Sequence, residues 1–108
     1  MNAEYAIALS TFPDAATAKK IARDLVAHAL VACANIVSSV DSIYRWQGKV
    51  EESNETLVVF KLTSARYAEF EARLRELHPY DVPEIIRLDL AGGSADYLRW
   101  ISESCARD

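Results

Sequence analysis

The feature that most constrains this chain is a long predicted β-hairpin that runs from Cys33 to Leu62. Its outgoing arm reads CANIVSSVDSIYRW, and its returning arm reads VEESNETLVVFKL after the turn segment QGK. Both arms are rich in β-branched and aromatic residues that alternate with a period of two, as expected for strands joined by a glycine-containing turn. The alternation slips at Ser38–Ser39, which predicts a bulge or a bend in the outgoing strand.

The length of this hairpin is informative. Two arms of about 14 residues form a ribbon about 45 Å long, whereas a compact domain of this size is a body only about 34 Å across. A lone ribbon that exposes Tyr44, Trp46, Val58 and Phe60 would be marginally stable and would offer a bare edge to other chains. We therefore predict a homo-oligomer in which these four side chains form the interface. The alternative is a hairpin that bends back onto its own sheet.

The bulk properties point to one soluble domain, residues 1–108. A formal net charge of −4 argues against nucleic acid and anionic membranes as partners. The apolar run Tyr5–Leu9 is too short for a signal peptide, and no apolar stretch is long enough to span a membrane. Cys33 and Cys105 lack metal-binding or redox spacing, which is typical of reduced thiols. These features predict a cytoplasmic protein.

The remaining periodicity predicts an α+β fold. The predicted elements are a strand over Tyr5–Thr11, a helix from Ala15 capped by Asp14, the hairpin, a helix over Ala65–Leu77, a strand over Glu84–Leu90, and a helix over Asp96–Ala106 that turns Tyr97, Trp100 and Ile101 inward. The order βαββαβ plus a C-terminal helix is that of a ferredoxin-like sandwich, with two helices on one face of a four-stranded antiparallel sheet.

The chain carries few groups suited to catalysis. It has two histidines and none of the common nucleophile, phosphate-loop or metalloprotease motifs, so we predict that it is not an enzyme. The segment HPYDVPE brings His78, Asp81 and Glu84 close in sequence, and imidazole with carboxylate suits a divalent transition metal. The alternative is that these loop residues do not converge, because a metal site normally needs three or four ligands.

The aromatic residues near the hairpin tip have two interpretations. Tyr44 and Trp46 line a ligand cleft between subunits, or they anchor the subunit interface, as aromatic residues commonly do. The sequence pattern alone leaves both open.

Three segments of the chain, SIYRWQGKVEESNETLVVFKL, HPYDVPEIIRLDL and DYLRWI, resemble the CutA family of divalent-cation tolerance proteins. The segment TFPDAATAKKIARDLVAHALVACANI is also similar to that family, so the resemblance spans nearly the whole chain. It implies a compact homotrimer of ferredoxin-like protomers, similar in assembly to the PII signalling proteins. It further implies a non-enzymatic role in metal tolerance, with copper binding by some members.

The resemblance also shows where this chain departs from the copper-binding members. Those members resemble it at His78, but they carry a cysteine where Ser10 stands and a histidine where Leu77 stands. A thiolate and an imidazole are ligands that copper prefers. We therefore expect weak binding of copper or another divalent cation, through His78 and Glu84. The alternative function is a PII-like regulatory module that binds a small ligand in clefts between subunits.

Overall fold

A computed structural model describes residues 3–106 of the chain. Its strands are β1 (Tyr5–Phe12), β2 (Cys33–Trp46), β3 (Lys49–Thr63) and β4 (Ile86–Asp89), and its helices are α1 (Ala15–Ala27), α2 (Tyr67–Leu77) and α3 (Ala95–Cys105). A short 3₁₀ turn over Ser64–Arg66 precedes α2. The strands form one antiparallel sheet in the order β2-β3-β1-β4. This arrangement confirms the predicted ferredoxin-like fold.

Helices α1 and α2 cover one face of the sheet, which we call the core face. Alternate residues of β1 and β3 point into it and are fully buried, such as Ala8 and Phe60. Phe60 meets Phe70 of α2 edge to face, with ring centroids 5.1 Å apart. Every second residue of these strands therefore packs against the apolar stripe of each helix, and together they form one buried layer.

Helix α1 begins and ends with recognisable capping structures. At its start, the Asp14 carboxylate accepts a hydrogen bond of 2.7 Å from the backbone N–H of Thr17, as predicted for a capping residue. At its end, Leu30 N–H donates to the carbonyl of Leu25 and Ala29 N–H donates to the carbonyl of Val26. This is a Schellman motif, and it places Ala29 in the left-handed region at φ 58°.

The hairpin has the predicted bulge. Its pairing runs from Cys33↔Lys61 to Trp46↔Lys49, and its register shifts between Val37 and Val40. The two turn residues, Gln47 and Gly48, have φ of 49° and 79°, as in the tight turns that fit twisted strands. The molecule is elongated, with extents of 44 × 27 × 22 Å.

The opposite face of the sheet, which we call the outer face, is only partly covered. Helix α3 lies against one end of it: the Tyr5 hydroxyl is 2.7 Å from Ser102 Oγ, and Cys33 Sγ is 3.7 Å from the Tyr97 hydroxyl. Farther along this face, Val37, Ile86 and Leu88 are 46%, 49% and 52% exposed. The outer face therefore presents apolar side chains that no helix of the described chain covers.

Two predicted details are corrected. Strand β4 covers only Ile86–Asp89, because its pairing with β1 stops at Leu9, so the predicted strand Glu84–Leu90 was too long. In α3, Ile101 is fully buried, but Tyr97 and Trp100 are each 41% exposed. The prediction that both aromatic side chains turn inward was wrong, because α3 lies at the edge of a half-covered face rather than inside a closed core.

Candidate functional site: an acidic cleft beside the hairpin

A cleft of about 800 Å³ opens between the distal part of the hairpin and the segment that links α2 to β4. Strand β1 contributes Thr11 to it, where the sheet meets the linking segment. The full lining is Thr11, Ser42, Ile43, Tyr44, Trp46, Glu55, Pro79, Tyr80, Asp81, Val82, Pro83 and Glu84. A cavity of this size is in the range of small-molecule sites.

The bulge in β2 decides which side chains reach the cleft. Before the bulge Val37 pairs with Leu57, and after it Val40 pairs with Glu55, so the sequence phase of β2 changes by one residue relative to β3. Side chains alternate between the two faces of a strand. The shift therefore places Tyr44 and Trp46 on the same face as Glu55, which is the outer face.

Glu55 is a buried carboxylate at the edge of this cleft. It is only 8% exposed, and its Oε2 atom accepts a hydrogen bond of 2.7 Å from the Tyr80 hydroxyl. Burial and the bond to Glu55 raise the pKa of Tyr80 far above its ordinary value. The phenol consequently stays protonated at neutral pH and remains a donor to Glu55.

Glu84 lies in the same cleft and is affected by Glu55. Although the residue as a whole is exposed, partial burial of its carboxylate, followed by the negative charge of Glu55, raises the pKa of Glu84. Asp81 adds a third carboxylate, and the described lining contains no lysine or arginine. The cleft is therefore negatively charged without a built-in counter-charge.

His78 does not line the cleft but packs behind it and holds the backbone of two lining residues, Thr11 and Tyr80, in place. The imidazole is 7% exposed and stacks on Phe12, with ring centroids 4.6 Å apart. Its Nδ1 accepts a hydrogen bond of 3.2 Å from the backbone N–H of Tyr80, and its Nε2 lies 2.9 Å from the carbonyl of Thr11. Nε2 must therefore carry the proton, and burial lowers the pKa of this imidazole.

This geometry corrects the expectation that His78 is a metal ligand. Both of its ring nitrogens are occupied by backbone groups, and a metal ligand needs a free lone pair. Within residues 3–106, no group of three or more His, Cys, Asp or Glu side chains is arranged to hold a metal ion. Of the predicted ligands, Glu84 and Asp81 lie in the cleft, while His78 has a positioning role behind it.

The family model for CutA1, the divalent ion tolerance protein, matches residues 6–104. The chain belongs to the CutA1 family. A divalent-cation tolerance protein CutA from Thermus thermophilus is 44% identical over 98 residues, which cover 91% of this chain and 95% of the relative. The recognition of the family from its sequence motifs is therefore confirmed.

Solved CutA structures have the same fold. CutA from Xylella fastidiosa superposes with a TM-score of 0.93 at 35% identity, over 96% of this chain and 100% of that chain. CutA from Archaeoglobus fulgidus, described as a periplasmic divalent cation tolerance protein, superposes with a TM-score of 0.91 at 29% identity, over 94% and 99% of the two chains. Among the described residues of this CutA chain, no helix is long and apolar enough to cross a membrane.

The four predicted interface residues of this CutA chain fall into two pairs. Tyr44 and Trp46 are 43% and 44% exposed on the outer face, where contact with another copy stays a prediction. Val58 and Phe60 are fully buried in the core of their own chain, so their assignment to the interface was wrong. Their even-numbered positions in β3 point toward α1 and α2, opposite to Tyr44 and Trp46.

Sequence reasoning missed two residues that line the cleft, Glu55 and Tyr80. Their hydrogen bond joins positions 25 residues apart, which no local pattern reveals. A weak signal was present, because Glu55 is an acid that directly precedes the apolar end of β3. An acid at such a position calls for a buried partner.

Proposed function

We propose that this protein acts in divalent-cation tolerance as a non-enzymatic cytoplasmic homotrimer that binds copper or another divalent cation weakly. One observation carries the proposal: the acidic cleft and the apolar outer face lie on the same side of the sheet. Association of copies through that face would place the clefts next to the subunit boundaries. Membership of the CutA1 family supports the tolerance role.

The trimer is supported by the exposed apolar side chains of the outer face. Val37 on β2 and Ile86 and Leu88 on β4 point to the same face of the sheet and are each about half exposed. Exposed apolar side chains grouped on one face of a sheet commonly mark a surface that binds another protein. Closed cyclic assemblies of identical chains are the usual solution for such a surface.

The chemistry of the cleft supports the proposal of weak metal binding. Glu55 and Glu84 offer carboxylate oxygens, and the cleft supplies neither thiolate nor free imidazole. Carboxylate oxygens suit hard cations and hold copper less well than sulfur and nitrogen ligands do. A divalent ion in this cleft would therefore keep much of its water shell.

Calorimetric titration of Cu²⁺, Zn²⁺ and Mn²⁺ into the purified protein tests this proposal. We expect weak binding that is lost in Glu84→Gln and unchanged in Glu103→Gln, a control that removes an exposed acid from α3. Tight binding that survives Glu84→Gln would place the metal elsewhere and contradict the proposed site. Elemental analysis of the protein as purified gives an independent readout.

A second candidate function is a PII-like regulatory module that binds a small ligand. It is favoured by the cleft volume of about 800 Å³, which is larger than a single metal ion occupies, and by the aromatic side chains that line the cleft. A ligand that binds only the native state raises the midpoint of thermal unfolding. A thermal-shift screen of charged and neutral metabolites that finds no stabilising compound would contradict this candidate.

A further inference from the structure

We propose that the ligand of the cleft is a small organic cation, in which an ammonium or guanidinium group is attached to an apolar or aromatic body. This inference rests on the second candidate function above and names the chemical class of its ligand. It is carried by the charge of the cleft, the burial of one of its carboxylates, and the aromatic side chains that surround them.

The charge of the cleft selects a cation. Glu55, Asp81 and Glu84 line it, and no lysine or arginine does so among the described residues. Glu55 is more than nine-tenths buried, so water and salt screen its charge less than they screen a surface charge. Nucleotides and organic anions would meet uncompensated like charge there, which disfavours them.

The hydrogen bonding of Glu55 leaves room for one further donor. Tyr80 occupies the Oε2 atom, and no described group donates to Oε1. An ammonium or guanidinium N–H can donate to this oxygen and to the neighbouring carboxylate of Glu84 in charge-assisted hydrogen bonds. Such hydrogen bonds are stronger than neutral ones, and one cation would offset the negative charge of both carboxylates.

The aromatic side chains favour an organic cation over a metal ion. Tyr44, Trp46 and Tyr80 line the same cleft as the acids, and aromatic faces attract ammonium and guanidinium groups. A hydrated metal ion would gain little from these rings and would leave most of the volume unfilled. The absence of any cluster of three metal-ligating side chains within residues 3–106 points the same way.

Three probes of nearly the same shape test the inference: phenethylamine as the cation, 2-phenylethanol as the neutral analogue, and phenylacetate as the anion. Binding is followed through the indole N–H signals of Trp46 and Trp100 in NMR spectra, and Trp100 on α3 serves as an internal control. We expect phenethylamine to shift the Trp46 signal selectively. We expect phenylacetate to have no effect.

Two carboxylate variants locate the binding. Glu55→Gln keeps a carbonyl oxygen that can accept the Tyr80 hydroxyl, so it removes the charge and preserves the fold. It and Glu84→Gln are each expected to weaken phenethylamine binding by about 10- to 100-fold, the range for one charged hydrogen bond. Glu103→Gln, far from the cleft on α3, is expected to change nothing. A single cooperative thermal unfolding transition in each variant would confirm that the variants are folded.

The outcomes separate this inference from the functions on which it rests. Binding of phenylacetate as strong as that of phenethylamine, or phenethylamine binding that survives both variants, would overturn the organic-cation assignment and leave a small-ligand module standing. Failure of phenethylamine and of a guanidinium probe, agmatine, would also overturn it. If Mn²⁺ alone then bound in a Glu84-dependent way, the metal-binding function would survive without it.

Discussion

Replacing Ser10 with alanine should stabilise this protein, although the residue is completely buried. Ser10 lies on the core face of β1, and within residues 3–106 its Oγ is the one buried side-chain polar atom without a hydrogen-bond partner. Burying a hydroxyl without a partner costs about 1–3 kcal/mol. The space left by one oxygen atom is smaller than a methylene group and costs less than about 1 kcal/mol. Ser10→Ala should therefore raise the free energy of unfolding by about 1 kcal/mol.

Urea and thermal unfolding measure this effect, and the expected rise in midpoint is about 4 °C for a domain of this length. Ser102→Ala is the matched control, because Ser102 Oγ makes a hydrogen bond of 2.7 Å with the Tyr5 hydroxyl. Its loss should lower the free energy of unfolding by about 1 kcal/mol. A destabilised Ser10→Ala protein would show that the Ser10 hydroxyl has a partner in solution, such as a buried water molecule, and would refute the reasoning.

Four further substitutions have defined outcomes. The raised pKa of Glu84 means that the folded state binds the proton of this carboxyl more tightly than the unfolded state does, so the free energy of unfolding falls as pH rises above the ordinary pKa of 4.5. Glu84→Gln should therefore raise the thermal midpoint at pH 7 but not near about pH 4. An equal rise at both pH values would contradict this reasoning. Ala29→Gly should raise the free energy of unfolding by about 1 kcal/mol, because glycine adopts the left-handed conformation at φ 58° without steric strain. Urea unfolding measures this change, and a lower free energy of unfolding in the variant would argue against that conformation. Phe60→Ala should lower the free energy of unfolding by about 3–5 kcal/mol, because Phe60 is buried in the core of its own chain. Trp46→Ala should instead weaken the association of chains, which sedimentation at several protein concentrations measures. Unchanged sedimentation of Trp46→Ala would count against an interface role for Trp46.

The architecture was readable from local patterns. The apolar stripe of α1, the Asp14 cap and the alternation in the hairpin each encode an element within a few residues. The bulge was also visible, as the slip at Ser38–Ser39. These features depend on short-range sequence, which is why the order of strands and helices followed from them.

The face of the sheet on which each hairpin residue lies could be determined only from the structure. The sequence-based prediction assigned Tyr44, Trp46, Val58 and Phe60 together to one interface. The bulge changes the pairing phase by one residue, so the first two lie on the outer face and the last two on the core face. A sequence shows that two faces exist but does not show which of them the helices cover.

The candidate site was predicted only in part, because its contacts join distant segments. Glu84 and Asp81 were identified from the linking segment, but the partner of Tyr80, Glu55, comes from β3. His78 attracted attention as a metal ligand, yet its Nε2 is bonded to the carbonyl of Thr11, a residue 67 positions earlier. Spacing along the chain cannot reveal that the ring nitrogens of a histidine are already occupied.

The mass of the protein in dilute solution tests most directly whether other copies cover the outer face. Sedimentation equilibrium at low micromolar concentration should give about three times the 12.0 kDa of one chain. The mass should fall when Leu88, which is half exposed on that face, is replaced with aspartate. A well-folded single chain of 12.0 kDa under the same conditions would contradict the proposed assembly.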